Sequence, residues 1–174
     1  MSLSDTLLML IHTETFTSIW YWLALGATWA ISSHWIAGAP FDMIWNARRG
    51  RGRAGEDLTR LVEINARRLT DYQRMAGPAM IGLLAFLLTL LGAIGFGLSS
   101  ELSQGLFLLL LPVSLTWIMT FRFAARQMRA PLAGEALARA LLWLRLKIQF
   151  IAMLSIFLTA SYATGRLINP HLFP

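Results

Sequence analysis

The chain has 174 residues, of which 56% are apolar and only 14% charged, with a formal net charge of +6. Soluble domains carry about 25% charged residues over their cores, so this composition excludes an ordinary water-soluble globule. It contains no cysteine, which also excludes disulfide staples, thiol catalysis and cysteine-ligated zinc or iron–sulfur centres.

The first residues offer neither a basic start nor a small-residue cleavage site after Leu7-Leu8-Met9-Leu10-Ile11, which argues against a cleaved signal peptide. Ser4-Asp5 provides a cap for a short interfacial helix from Thr6 to His12. No charge then occurs between Glu14 and Asp42. Such a stretch covers roughly 30 Å of hydrocarbon as a helix, and a first span is expected at about 17–37.

Trp20, Tyr21 and Trp22 cluster at one end of this span, and Trp35 and Trp45 near the other, as two aromatic belts would. Trp29 lies between them and shares a face with Trp22, Gly26 and Ser33. Ring packing against small residues of a neighbouring helix explains that face; a quinone, pigment or porphyrin pocket is the sharper alternative. His34, near the span's end, invites the same question, as proton relay, haem ligand or quinone contact. His12 and His171 both belong to the opposite side, so one chain cannot place two of its histidines around a haem. The plainer reading of His34 is an interfacial imidazole bonded to a neighbouring hydroxyl or carbonyl.

The connection over 38–77 holds Arg48, Arg49, Arg51, Arg53, Arg60, Arg67, Arg68 and Arg74. The Gly/Arg-rich run 46–55 reads as flexible, with Arg48, Arg49, Arg51 and Arg53 meeting anionic lipid headgroups rather than nucleic acid. From about 56 to 76, Leu58, Val62, Asn65, Leu69, Tyr72 and Ala76 recur at helical spacing and predict an amphipathic helix. Glu56 and Asp57 suit its first turn, and Gly77-Pro78 is expected to end or kink it. Asn65, Leu69 and Tyr72 are the candidate partner contacts, since a polar residue in an apolar seam can set register.

Spans are expected next at about 78–98 and 103–122, the latter with a local kink at Pro112 near Ser114 and Thr116. The 123–146 connection is again basic. After Pro131, Leu137, Leu141, Leu144 and Ile148 predict a helix running without a break into a fourth span at about 147–166, with Trp143 at headgroup level. Small residues line the second span (Gly82, Ala85, Thr89, Gly92, Ala93) and the fourth (Ala152, Ser155, Thr159, Ala163), the signal of close helix packing.

Twelve of the fifteen Lys and Arg residues fall in the two connections, Arg122 and Lys147 stand at the edges of the second, and the last is Arg166. The positive-inside rule then places both connections in the cytoplasm and both termini in the periplasm. The expected fold is all-α: a multi-pass protein of the bacterial inner membrane, a four-transmembrane-helix bundle with a cytoplasmic amphipathic helix, in one domain.

The stretch from Phe16 to Trp22, the run Ser33-His34-Trp35-Ile36-Ala37-Gly38-Ala39-Pro40-Phe41-Asp42-Met43, Asn65-Ala66-Arg67-Arg68-Leu69 and Gly134-Glu135-Ala136-Leu137 resemble a small alphaproteobacterial family of four-span membrane proteins. Some members carry a label linking them to an iron–sulfur assembly machinery of scaffold and ATPase. Without cysteine this chain cannot scaffold a cluster, so that label would imply no more than a membrane tether.

No intramembrane carboxylate, selectivity filter, phosphate-binding loop or paired catalytic acid is present. The expectation is therefore a non-enzymatic accessory, anchoring or assembly subunit of a larger inner-membrane complex, with no cofactor. Its expected partners are the bilayer, other membrane subunits or further copies of itself, and no nucleic acid. A small homo-oligomeric channel or transporter is the alternative, with Thr89, Ser114, Thr116, Ser155 and Thr159 lining its pore. A haem-, quinone- or pigment-binding subunit built on Trp22, Trp29 and His34 is the third reading.

Overall fold

The computed structural model describes residues 15–168, the side chains of residues 34–36 excepted. The segment from Ser4 to His12 and the tail with His171 lie outside the described residues. Five helices and one very short hairpin make up the described chain.

Helix α1 spans Ile19–His34. At 1.5 Å per residue it is about 24 Å long, short of the roughly 30 Å of a hydrocarbon core. It ends three residues before the expected boundary because strands β1 (Trp35–Ile36) and β2 (Ala39–Pro40) fold back on each other. Trp35 pairs with Pro40 and Ile36 with Ala39 across a two-residue turn. Ala37 and Gly38 both take positive φ, 51° and 78°, the signature of a primed hairpin turn. Helix α2, Phe41–Arg48, follows at once, so part of the run expected to be flexible is helical. The remainder turns at Gly50 and Gly52, both left-handed.

Helix α3, Ala54–Gly92, is the main departure from expectation. Gly77-Pro78 does not end a helix there. The amphipathic segment and the second span are one rod of about 58 Å, and Ala93–Gly97 extends it as a π-helical turn. Pro78 removes a single backbone donor, a loss that one long helix absorbs.

Helix α4 spans Glu101–Arg129, with Pro112 inside it. Ser114 Oγ donates to the Leu111 carbonyl at 2.6 Å and Thr116 Oγ1 to that of Val113 at 2.7 Å. Helix α5, Gly134–Ile168, is continuous, and Leu137, Leu141, Leu144, Ile148, Ala152, Ser155, Thr159 and Ala163 form one buried line along it. Steps of three and four residues keep all eight on one face over about 39 Å.

Three segments are long and apolar enough to cross a membrane: Ala54–Gly97, Glu101–Arg129 and Gly134–Ile168. The buried core sits beside their apolar windows more than within them. The main cluster joins Ile44 and Ala47 of α2, Leu58 and Val62 of α3, and Leu137 to Ile148 of α5, with Ala37 and Ala39 of the hairpin. We call this end of the molecule the collar. In the apolar windows only 6% of residues are buried for α3, 11% for α4 and 28% for α5. A smaller cluster, Leu25, Trp29 and Ala152, holds α1 against α5.

Candidate functional site

Three constellations could do more than hold the chain together, and each joins elements distant in sequence. The first is built on the hairpin. Asn65 Nδ2 donates to the Gly38 carbonyl at 3.2 Å, and a Cβ at Gly38 would collide with the Asn65 carboxamide. The seam amide of α3 is thus used to pin a turn within its own chain. Beside it opens a cleft of about 220 Å³, bordered by Ser32, Leu69, Thr116, Trp117 and Thr120. Among the described side chains that line it are hydroxyls and apolar groups, none of which titrates near neutral pH.

The second joins α2 to α5. The Arg145 guanidinium stacks 3.7 Å above the Phe41 ring, Phe41 stacks on Trp45 at 6.1 Å, and Arg49 covers Trp45 at 4.7 Å. Arg48 lies 5.7 Å from the same ring. Cations and aromatic faces alternate here because the ring quadrupole attracts each guanidinium. Arg51 Nη1 reaches Asn46 Oδ1 at 3.5 Å, while Arg53 caps α3 from its backbone.

The third closes the end opposite the collar. Arg166 forms an ion pair with Glu101 at 3.2 Å and donates to the Ser99 carbonyl and to Gln104 Oε1. Gln104, fully buried, donates to the Gly95 carbonyl in the π-helical turn at 2.7 Å. Around this clasp run edge-on ring contacts from Phe107 through Phe96, Tyr162 and Phe16 to Tyr21. Tyr21 also donates to the Gly105 carbonyl at 3.1 Å. Glu101 and Arg166, the two charges at this end, pair with each other.

Trp29 is buried against Leu25 and Ala152, with Trp22 packed on the same cluster. Trp22 Nε1 donates to the Phe16 carbonyl at 3.0 Å, whereas Trp29 Nε1 has no partner among the described residues. His34 closes α1 just before the hairpin. Of the seam residues, Asn65 and Leu69 are half-buried and Tyr72 is exposed. Among the described residues no group of acids and histidines could hold a metal ion.

The clasp was not foreseen from the sequence, although its signal was there. Glu101 is the sole charge between Arg74 and Arg122, and Arg166 the sole one after Lys147. Two isolated opposite charges in apolar surroundings favour each other as partners.

No family model matches the chain, and no curated protein or solved structure matches it either.

Proposed function

We propose that this protein is a non-enzymatic accessory or anchoring subunit of a bacterial inner-membrane complex, presenting its collar to the cytoplasm and both termini to the periplasm. The observation that carries the reading is α3. It joins an apolar half, long enough to span a membrane, to the packed collar in one continuous helix and leaves Ile64 (55% exposed), Tyr72 (58%) and Met75 (86%) along its length. These three share a face turned away from the buried Leu58–Val62–Ala66 line, so a partner helix could pack there without disturbing the chain's own core.

The orientation rests on the clustering of fourteen cations at the collar end. The fourth crossing belongs to the same proposal. Helix α1 runs from the aromatic contacts around Phe16 to the hairpin beside the collar. It is shorter than its neighbours because they continue into the collar. Arg48, Arg49, Arg51 and Arg53 then face anionic headgroups.

A pore between copies draws less support. Ser114, Thr116, Ser155 and Thr159 are buried within one chain, leaving exposed Thr89 alone of the proposed lining.

The test is native mass spectrometry of the tagged protein released gently from its own membrane. Stoichiometric foreign subunits, lost when Ile64→Ser, Tyr72→Ala and Met75→Ser are combined, are the expected result. Masses at whole multiples of the 19.5 kDa chain and nothing else would overturn it.

A further inference from the structure

We propose that the groove between α4 and α5 holds one anionic phospholipid, its phosphate among Arg122, Arg126 and Lys147 and an acyl chain along Met119, Leu146 and Phe150. The groove consists of two adjoining cavities. One, of about 450 Å³, is lined by the three cations; the other, of about 360 Å³, is almost wholly apolar. Met119, Trp143 and Lys147 border both, so head and tail compartments meet at a common wall.

Its level is fixed by the sequence. Arg122 ends the charge-free stretch of α4 and Lys147 begins that of α5. The basic compartment therefore lies where charge meets apolar helix, and the apolar compartment extends toward the hydrocarbon. Trp143, 65% exposed, stands at that boundary, where amphipathic rings settle.

The charges are unspent. Among the described residues the side chains of Arg122, Arg126 and Lys147 make no ion pair or hydrogen bond, and Glu135, the acid of α5, is taken by Arg139 at 3.7 Å. A zwitterionic headgroup would find no carboxylate for its ammonium here, whereas a net negative headgroup meets three cations. A free phosphate would leave the apolar compartment unused.

The site is also preformed. Buried Gln127 donates to the Leu132 carbonyl at 2.7 Å and accepts from the Leu132 N–H at 3.2 Å, which fixes the connection between the two helices and the floor of the groove. Little ordering cost remains for the ligand to meet. The inference rests on α4 and α5 crossing a membrane, not on the accessory-subunit reading, and it is separate from the Arg48–Arg53 run.

The experiment uses the full chain in phosphatidylcholine vesicles, titrated with phosphatidylglycerol or extra phosphatidylcholine brominated on the acyl chain. Brominated phosphatidylglycerol should quench an emission component that Trp143→Phe lacks, and brominated phosphatidylcholine at the same fraction should not. Combining Arg122→Gln, Arg126→Gln and Lys147→Gln should raise the phosphatidylglycerol required by at least about tenfold. Arg48→Gln, Arg49→Gln and Arg51→Gln together should change it by less than about twofold if the groove is the site. Equal quenching by both lipids overturns the proposal, as do equal shifts in the two triple variants. Abolition by millimolar inorganic phosphate overturns it in favour of a free-anion site. The lipid comparison on the unmutated protein stands even if a triple variant fails to fold.

Discussion

At the scale of single residues, polar groups at the two ends of the molecule, Gln104 at the clasp and Asn65 at the hairpin, decide more than the tryptophans do. Gln104 satisfies a carbonyl of the π-helical turn and an arginine at once. Gln104→Leu leaves the Gly95 carbonyl and the Arg166 guanidinium with one partner fewer in apolar surroundings, so it should cost about 1–3 kcal/mol. Thermal unfolding in detergent, followed by circular dichroism, should show the lower midpoint, and Gln104→Glu should recover much of it by keeping an acceptor for Arg166. At the hairpin, Asn65→Ala alone loses one hydrogen bond, about 1 kcal/mol. Gly38→Ala should cost more, from its left-handed φ and from collision with Asn65. The collision disappears when Asn65 is truncated, so a double-mutant cycle should give a smaller total than the sum of the single changes. Strict additivity would mean that the Asn65–Gly38 contact does not govern the turn.

At the scale of elements, legibility depends on whether a signal is local. The α5 line is written in one continuous run, from Leu137 through Ile148 to Ala163, and its spacing alone predicts a single helix. The α1 boundary is not local. It depends on a hairpin whose Gly38 carbonyl is held by Asn65, 27 residues away, and no window of sequence contains both partners. Asn65 itself stood out as a polar residue in an apolar seam, but spacing could not tell an internal contact from an external one. The clasp is distant in the same way, with Gln104 and Arg166 separated by 62 residues.

Pro78 shows a local rule that the fold overrides. Proline marks a break by propensity, yet the amphipathic seam before it and the uncharged run after it each favour helix strongly enough to continue as one helix. Restoring the missing donor should then help. Pro78→Ala in an already helical segment is expected to raise stability by up to about 3 kcal/mol, the interior cost of proline. The thermal midpoint in detergent checks this, and a fall instead would show that the packing of α3 needs a bend at Pro78.

For the whole molecule, the arrangement follows from where water is. Apolar surface gains by burial only against water, so the hydrophobic effect is available to the collar and largely absent where lipid already surrounds the helices. The distribution of burial agrees: Leu58, Leu137 and Leu141 are fully enclosed in the collar, while Phe157 and Leu158 stay open on α5 one membrane thickness away. Stability should therefore be concentrated at one end. Leu141→Ala is expected to cost about 2–5 kcal/mol, the usual result of emptying a closed apolar site. Phe157→Ala, on a face that lipid or detergent solvates in both states, should cost less than about 1 kcal/mol. Guanidinium unfolding in mild detergent compares the two directly. Similar losses would place the stabilising contacts of α5 inside the bilayer, and the collar would then be an appendage of the membrane half. The expected asymmetry makes the collar the fixed platform, from which three helices long and apolar enough to cross a membrane extend with most of their outer faces uncovered.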